Sequence, residues 1–204
     1  MTAEHWEAAY ETATEHSWDQ AAAAADLTML DECGFGVGDS VVDVGGGDGA
    51  FTETLLDRGH HDLTVVDIAD SALEAGRHRL GDAQDQVAWV KADVRGWRPG
   101  RSWRVWHDRA AFHFLTTDAD RAGYRAALAA GTTPGSLVCV GTFAEEGPTH
   151  CSGLPVARYD ADGLAQALRG DALDLEVVST AREDHRTPSG AVQRFVWVLL
   201  RRLG

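Results

Sequence analysis

Residues 41–50 read VVDVGGGDGA. Val41, Val42 and Val44 favour a pleated strand. Three consecutive glycines, Asp48 and Gly49 then form a turn whose backbone can approach a ligand closely. Helix character follows from Ala50 to Arg58, with Gly59 as a C-terminal stop. A strand, a glycine turn and a helix in succession form the opening unit of a parallel sheet, and the rest of the chain repeats that alternation.

Further strand-like runs lie at 62–68 (DLTVVDI), 86–94 (QVAWVKADV), 103–108 (WRVWHD) and 136–143 (SLVCVGTF). Their near-continuous apolar character predicts strands buried on both faces. Ser71 and Glu74 read as a capping box, with that helix running to Gly81. The TTDAD stretch ending at Asp120 starts another helix, and Gly131 follows it. The alternation then breaks. Residues 174–184 and 191–202 both read as strands, and the HRTPSG between them is too short for a helical crossover. The last two strands are therefore expected to pair antiparallel. The segment 1–36 reads as a helical N-terminal lid, and 37–204 as one domain.

The bulk composition excludes several classes. The 204 residues suffice for one well-cored domain. With 44% apolar residues and no apolar run near a membrane span, a soluble chain is expected, with no membrane partner. The polar, acidic start MTAEHWEAAYETATEH lacks the pattern of a secretory signal, which predicts a cytoplasmic protein. A net charge of −14 without a basic stripe argues against nucleic acid as a partner. Cys33, Cys139 and Cys151 form no CxxC pair, so neither a disulfide scaffold nor structural zinc is expected.

The glycine turn admits three ligand readings. A triphosphate loop needs GxxxxGK(S/T), and no lysine follows here. A dinucleotide fingerprint is matched in part by Gly45 and Gly47, with Ala50 in the third position. Asp48 weighs against it, because a carboxylate would face the pyrophosphate at the helix start. A cationic ligand reverses that objection.

The motif resembles the first motif of class I S-adenosylmethionine-dependent methyltransferases, an acid, one apolar residue and GxGxG, matched by Asp43, Gly45, Gly47 and Gly49. The likeness runs from about Asp39 to Arg202 and includes acids after the next three strands. It implies a Rossmann-like, doubly wound, seven-stranded, mostly parallel sheet with an antiparallel C-terminal hairpin strand. It implies S-adenosyl-L-methionine as cofactor, held by Asp43, Gly45, Gly46 and Gly47. Asp67, with Ile68, would take the ribose hydroxyls, Asp93 and Val94 the adenine, and Asp108 the methionine end. The opening HWE-x-x-Y followed by SW is similar to small methyltransferases of the trans-aconitate, tellurite and thiopurine types, which adds Trp18 to the cofactor side.

The acceptor is expected beyond the later strands. Trp6 and Tyr10, four apart, share a helix face. With Arg109, Cys151 and Arg158 they are the candidate acceptor-binding residues. His113, His150 and His185 are candidate general bases. No ligand pair among the histidines and Cys151 has zinc-type spacing, so no metal is assigned. The reading is methyl transfer to an oxygen, sulfur or metalloid atom of a small molecule, with a carboxylate as the acceptor the arginines favour. Protein-lysine methylation and a non-catalytic cofactor-binding domain are the alternatives.

Overall fold

The computed structural model describes residues 2–12, 24–170, 173–188 and 190–204. Trp18 lies outside the described residues. In chain order the elements are α1 (Ala3–Thr12), α2 (Ala24–Glu32), β1 (Val41–Val44), α3 (Ala50–Asp57), β2 (Leu63–Asp67), α4 (Asp70–Leu80), β3 (Val87–Lys91), β4 (Val105–Arg109), α5 (Asp118–Gly131), β5 (Leu137–Phe143), β6 (His150–Cys151), β7 (Leu154–Pro155), α6 (Ala161–Arg169), β8 (Leu175–Arg186) and β9 (Val192–Arg202).

The seven long strands form one sheet in the order β3-β2-β1-β4-β5-β9-β8. β1 to β5 pair parallel, while β9 pairs antiparallel with both β5 and β8. The doubly wound α/β fold and its terminal hairpin are as the sequence implies. Strand order reverses between β1 and β4, and in open α/β sheets such a switch point opens a crevice beyond the carboxyl ends of the strands.

The two faces of the sheet carry separate cores. Val42, Val44, Trp106, Val138 and Val140 pack with Tyr124 and Leu128 of α5 and Leu164 and Leu168 of α6. The alternate residues Val41, Val65, Val105, Leu137 and Cys139 pack with Leu30 of α2, Phe51 and Leu55 of α3 and Leu73 of α4. The side-chain period of two along a strand sends neighbours to opposite faces. Each fully buried leucine or valine contributes about 1.5–3 kcal/mol, so the polar residues admitted to these faces stand out.

Two local expectations change. α4 begins at Asp70 rather than at a Ser71 cap, and its N-cap residue Ala69 makes no side-chain hydrogen bond. Glu7 of α1 supplies the cap from a distance: Asp70 N and Ser71 N donate to its Oε1 and Oε2 at 2.8 and 2.9 Å. The loop after β5, whose sequence shows little helix or strand pattern, contains the β6–β7 hairpin. Ser152 and Gly153 both hold positive φ there, at 49° and 76°, as a two-residue hairpin turn with the right twist requires.

Candidate functional site

One cavity sits at the switch point. Its lining includes Asp43, Gly45, Gly46, Asp67, Ile68, Asp93 and Val94 on one side, and Arg109, Phe114, Cys151, His185, Gln193 and Phe195 on the other. Trp6 and Tyr10 of α1 also line it. α1 is fastened at both ends of this cover. Glu7 caps α4, and His5 Nε2 lies 3.0 Å from the carbonyl oxygen of Ser152 in the hairpin turn. Trp6 meets Phe114 edge to face at 5.0 Å.

The glycine turn is fitted to close contact. A Cβ at Gly46 would fall 2.4 Å from Asp43 Oδ2, and one at Gly45 would fall 2.6 Å from Ala111 Cβ. Above it, a Cβ at Gly47 would meet the Tyr10 hydroxyl at 2.3 Å and Asp67 Oδ2 at 3.5 Å. Gly47 N donates to Asp67 Oδ2 at 3.2 Å, and Ala69 N donates to Oδ1 at 3.0 Å. Burial, only partly offset by these amides, lifts the Asp67 carboxyl to a pKa of about 6. Asp48 is bound to Arg79 at 3.3 Å and accepts the amide of Ala50 at 3.3 Å, so it anchors the helix start.

Beneath the turn is a group that the sequence reading missed. His107 of β4 has its Nδ1 2.8 Å from Asp43 Oδ1 and its Nε2 3.1 Å from Asp26 Oδ2. Its ring stacks on Phe51 at 3.7 Å between centroids. Both ring nitrogens face carboxylates, which only accept when ionised, so the ring is an imidazolium. Burial alone would lower its pKa. The charge of Asp43 and the hydrogen bonds to Asp26 and Asp43 override burial and hold it at about 9. The available signal was the register: His107 lies directly beside Asp43 in the β1–β4 pair, and both break an otherwise apolar face. Asp26 belongs to α2, whose approach no local motif announces.

The predicted cofactor residues divide. Asp43, Gly45, Gly46, Asp67, Ile68, Asp93 and Val94 line the cavity. Gly47 lies directly beneath Tyr10. Asp93 is bound to Arg95: Oδ1 accepts the Arg95 backbone amide at 3.0 Å and Nε at 2.9 Å, and Oδ2 accepts Nη2 at 2.5 Å. These hydrogen bonds hold its carboxyl below the usual range. Asp108 is a correction. It is the next residue after His107, so it points to the opposite face, into the core with α5. There it accepts from Tyr124 Oη at 2.8 Å and from the amides of Ala111 and Phe112. Desolvation raises its pKa to about 6. Asp108 shapes the turn that carries Arg109 and does not line the cavity.

The histidines divide too. His113 is fully buried between Phe114 and Phe143, and neither ring nitrogen has a hydrogen-bond partner among the described residues. Desolvation depresses its pKa to about 3, so it stays neutral and away from the cavity. His150 is exposed on β6 beside Thr149 and is likewise outside the lining. Only His185 of the three lines the cavity. Arg109 Nη2 lies 3.5 Å from its Nδ1. Arginine can only donate, so Nδ1 accepts and the proton of a neutral His185 resides on Nε2. That tautomer makes Nε2 a donor rather than a base. Of the predicted acceptor residues, Trp6, Tyr10, Arg109 and Cys151 line the cavity. Arg158 instead donates to the carbonyls of Glu145 and Gly147 and ties down the loop after β5. Phe114, Gln193 and Phe195 join the lining unannounced by any motif. The turn after Arg109 is strained: Ala110 holds φ at 68°, a conformation that costs a non-glycine residue about 1 kcal/mol or more.

Comparison with known proteins fits this geometry. Residues 41–135 match the family described as "Methyltransferase domain". That methyltransferase-domain match spans β1 to the end of α5. It therefore contains the glycine turn, Asp67, Asp93, His107 and Arg109, but not Cys151, His185 or Phe195. Solved structures share the fold over nearly the whole chain. One concerns conversion of a disulfide bond into a thioacetal group during echinomycin biosynthesis, at 19% identity and a TM-score of 0.78, covering 99% of this chain and 93% of the other. A SAM-dependent methyltransferase from Anabaena variabilis superposes at 15% identity and TM-score 0.76, covering 98% and 94%. The glycopeptide N-methyltransferase MtfA, complexed with S-adenosyl-L-methionine, does so at 16% identity and TM-score 0.67, covering 93% and 98%. No curated protein matches the chain in sequence.

Proposed function

We propose that this chain is an S-adenosylmethionine-dependent methyltransferase acting on an oxygen, sulfur or metalloid atom of a small molecule. The observation that carries the reading is the acidic end of the cavity around the glycine turn. Asp26, Asp43, Asp48, Asp67 and Asp93 line it, which suits a cation and repels a pyrophosphate. The cofactor is S-adenosyl-L-methionine. When bound, it supplies an electrophilic methyl group on a sulfonium. The match of residues 41–135 and the complex of the structurally similar MtfA with that molecule support the assignment.

The residues fit that cofactor. Asp43, fixed on one oxygen by His107, keeps Oδ2 beside Gly46 for an ammonium group. Asp67 accepts the amides of Gly47 and Ala69, and a carboxylate has further lone pairs for ribose hydroxyls. Val94 and Ile68 give apolar contact for the adenine. Asp93 takes part in the adenine site while tied to Arg95. The N-terminal segment, within 1–36, is a lid: Trp6 and Tyr10 cover the site and exclude water. A cover latched to α4 and to the β6–β7 turn favours a small acceptor over a protein side chain. The protein acts by alignment and desolvation, which suffice when the leaving group is already good.

Labelled cofactor, incubated with the chain and a cell extract fractionated by size, tests this reading. Label in the small-molecule fraction is the expected result. Label confined to protein would overturn the small-molecule assignment, and no turnover of any fraction would overturn the enzymatic one.

A further inference from the structure

We propose that His107 is a positioning residue for the amino end of the cofactor: its Nδ1–H holds one oxygen of Asp43 so that the other is presented to an α-ammonium group, and Asp26 of α2 fixes the ring from its far edge. This deepens the S-adenosylmethionine reading and rests on it.

A lone carboxylate is a poor guide for a ligand. The terminal torsion of an aspartate is broad and nearly two-fold, so its oxygens are interchangeable until a donor holds one of them. Asp43 is buried in β1, and the parallel β1–β4 register sets His107 directly beside it. Nδ1 reaches Oδ1 at 2.8 Å. Oδ2 is left beside Gly46, where a Cβ would fall 2.4 Å from it. Both Asp43 and Gly46 line the cavity. His107 thus gives the carboxylate its direction, and the missing side chain at Gly46 gives a ligand access to it.

The ring is itself held on several sides. Phe51 of α3 stacks on it at 3.7 Å, with the two planes 11° apart. Trp197 of β9 lies 6.0 Å away at 25°. A Cβ at Gly141 would fall 2.7 Å from the Trp197 ring, and Trp197 Nε1 donates to Glu183 Oε2 at 2.8 Å, so this second ring is fixed too. His107 Nε2 lies 3.1 Å from Asp26 Oδ2, while Asp26 Oδ1 accepts the amide of Leu27 at 2.6 Å. Turning the imidazole over would set carbon atoms against both carboxylates, so this ring has one orientation.

The charge matters as well as the direction. Asp26 and Asp43 flank one ring, and neighbouring buried carboxylates without a cation between them repel until one takes up a proton. A protonated Asp43 would lose its attraction for an ammonium. The imidazolium keeps both carboxylates ionised. His107 therefore acts on the ligand through Asp43, and only on a ligand that carries an amino group. The adenosine half belongs, on the same reading, to Asp67 and Asp93.

Two variants separate positioning from stability, because an amide side chain can replace one ring nitrogen at a time. The amide nitrogen of asparagine reaches the place of Nδ1, and that of glutamine the place of Nε2. His107→Asn keeps the donor to Asp43, whereas His107→Gln keeps only the donor to Asp26, and both lose the charge. The full chain and both variants are titrated calorimetrically at pH 7.5 with S-adenosylhomocysteine and with its deamino analogue, which lacks only the ammonium. The wild type should bind S-adenosylhomocysteine about tenfold or more tightly than the analogue, as expected of a charge-assisted hydrogen bond. His107→Gln should lose about tenfold or more in affinity for S-adenosylhomocysteine and less than about twofold for the analogue. His107→Asn should fall between wild type and His107→Gln. Equal losses for the two ligands, or equal losses in the two variants, would leave His107 a structural residue and overturn the proposal.

A wild-type measurement covers the case in which the variants fail to fold by circular dichroism. In the nitrogen spectrum of histidine-labelled chain, His107 is a ring protonated on both nitrogens at pH 8. S-adenosylhomocysteine should shift its Nδ1 resonance at least twice as far as the deamino analogue does. Equal shifts would overturn the proposal. Binding of S-adenosylhomocysteine with no preference over the analogue would overturn the proposal alone. No binding of S-adenosylhomocysteine would strike the cofactor reading and the proposal with it.

Discussion

At the β1–β3 end of the cavity the charged groups are locked into networks, whereas at the β4–β9 end they stand beside aromatic rings. Asp43 is held by His107, Asp67 by two backbone amides and Asp93 by Arg95. Arg109, by contrast, lies over Phe195 and touches His185 at 3.5 Å. The first arrangement suits one fixed ligand that must be bound the same way in every turnover. The second sets an arginine and a histidine among apolar and aromatic walls. Two buried histidines show how far surroundings decide chemistry. His107, between two carboxylates, is held at about 9, whereas His113, among rings, is held at about 3.

Removing the charge at the heart of the locked end gives the largest expected effect. His107→Phe keeps the stacking on Phe51 but leaves Asp26 and Asp43 buried without their shared cation, at a cost of about 3–5 kcal/mol. The melting temperature should drop by roughly 6–20 °C, read by circular dichroism. An unchanged melt would show that the trio carries no charge. The second effect follows from the same ring. Its folded pKa of about 9 exceeds the ordinary 6.5, so its contribution is fully present below pH 6.5 and is lost as pH rises through 9. A shift of that size corresponds to roughly 3 kcal/mol. Urea unfolding at pH 7 and at pH 9.5 should show that loss in the wild type and not in His107→Phe. Asp67 and Asp108, both raised to about 6, are largely ionised throughout this window.

Asp67→Ala comes third. Loss of hydrogen bonds to a charged acceptor costs about 1.5–3 kcal/mol, so S-adenosylhomocysteine affinity should fall by about 10–100-fold. Because Asp67 titrates near 6, wild-type affinity should also rise between pH 5 and 7, as the carboxyl ionises, and Asp67→Ala should lack that rise. Equal affinities would remove Asp67 from the site. The smallest effect concerns α1. Glu7→Gln retains one hydrogen bond to the α4 amides but loses the charge at the helix start, worth about 0.3–1 kcal/mol. Hydrogen exchange of α1 should quicken by about two- to fivefold. Unchanged exchange would separate α1 from the cap on α4.

The contrast between the two ends also explains what the sequence disclosed. The locked end is written in short motifs at the ends of parallel strands, so strand-end position together with the family resemblance points to VVDVGGGDGA and Asp67. The terminal antiparallel pair is equally plain, because HRTPSG allows nothing but a hairpin. Asp108 was misplaced for a simple reason. A strand-end acid can point to either face, and alternation from His107 sends this one into the α5 core. His107 and Asp26 were missed because their meeting spans 81 residues and joins α2 to β4. His113 and His150 look equivalent to His185 in sequence. Only packing distinguishes a ring sealed between Phe114 and Phe143 from one facing the cavity. The β6–β7 hairpin escaped because two-residue strands carry no periodicity, although Ser152-Gly153 is itself a turn signal.

Isothermal titration of the full chain with S-adenosyl-L-methionine at pH 7.5 bears on all of this at once. One site per chain with a dissociation constant in the micromolar range, weakened about 10–100-fold in Asp67→Ala, is the expected result. No heat of binding at millimolar ligand, or the same affinity in Asp67→Ala, would contradict the assignment of this cavity.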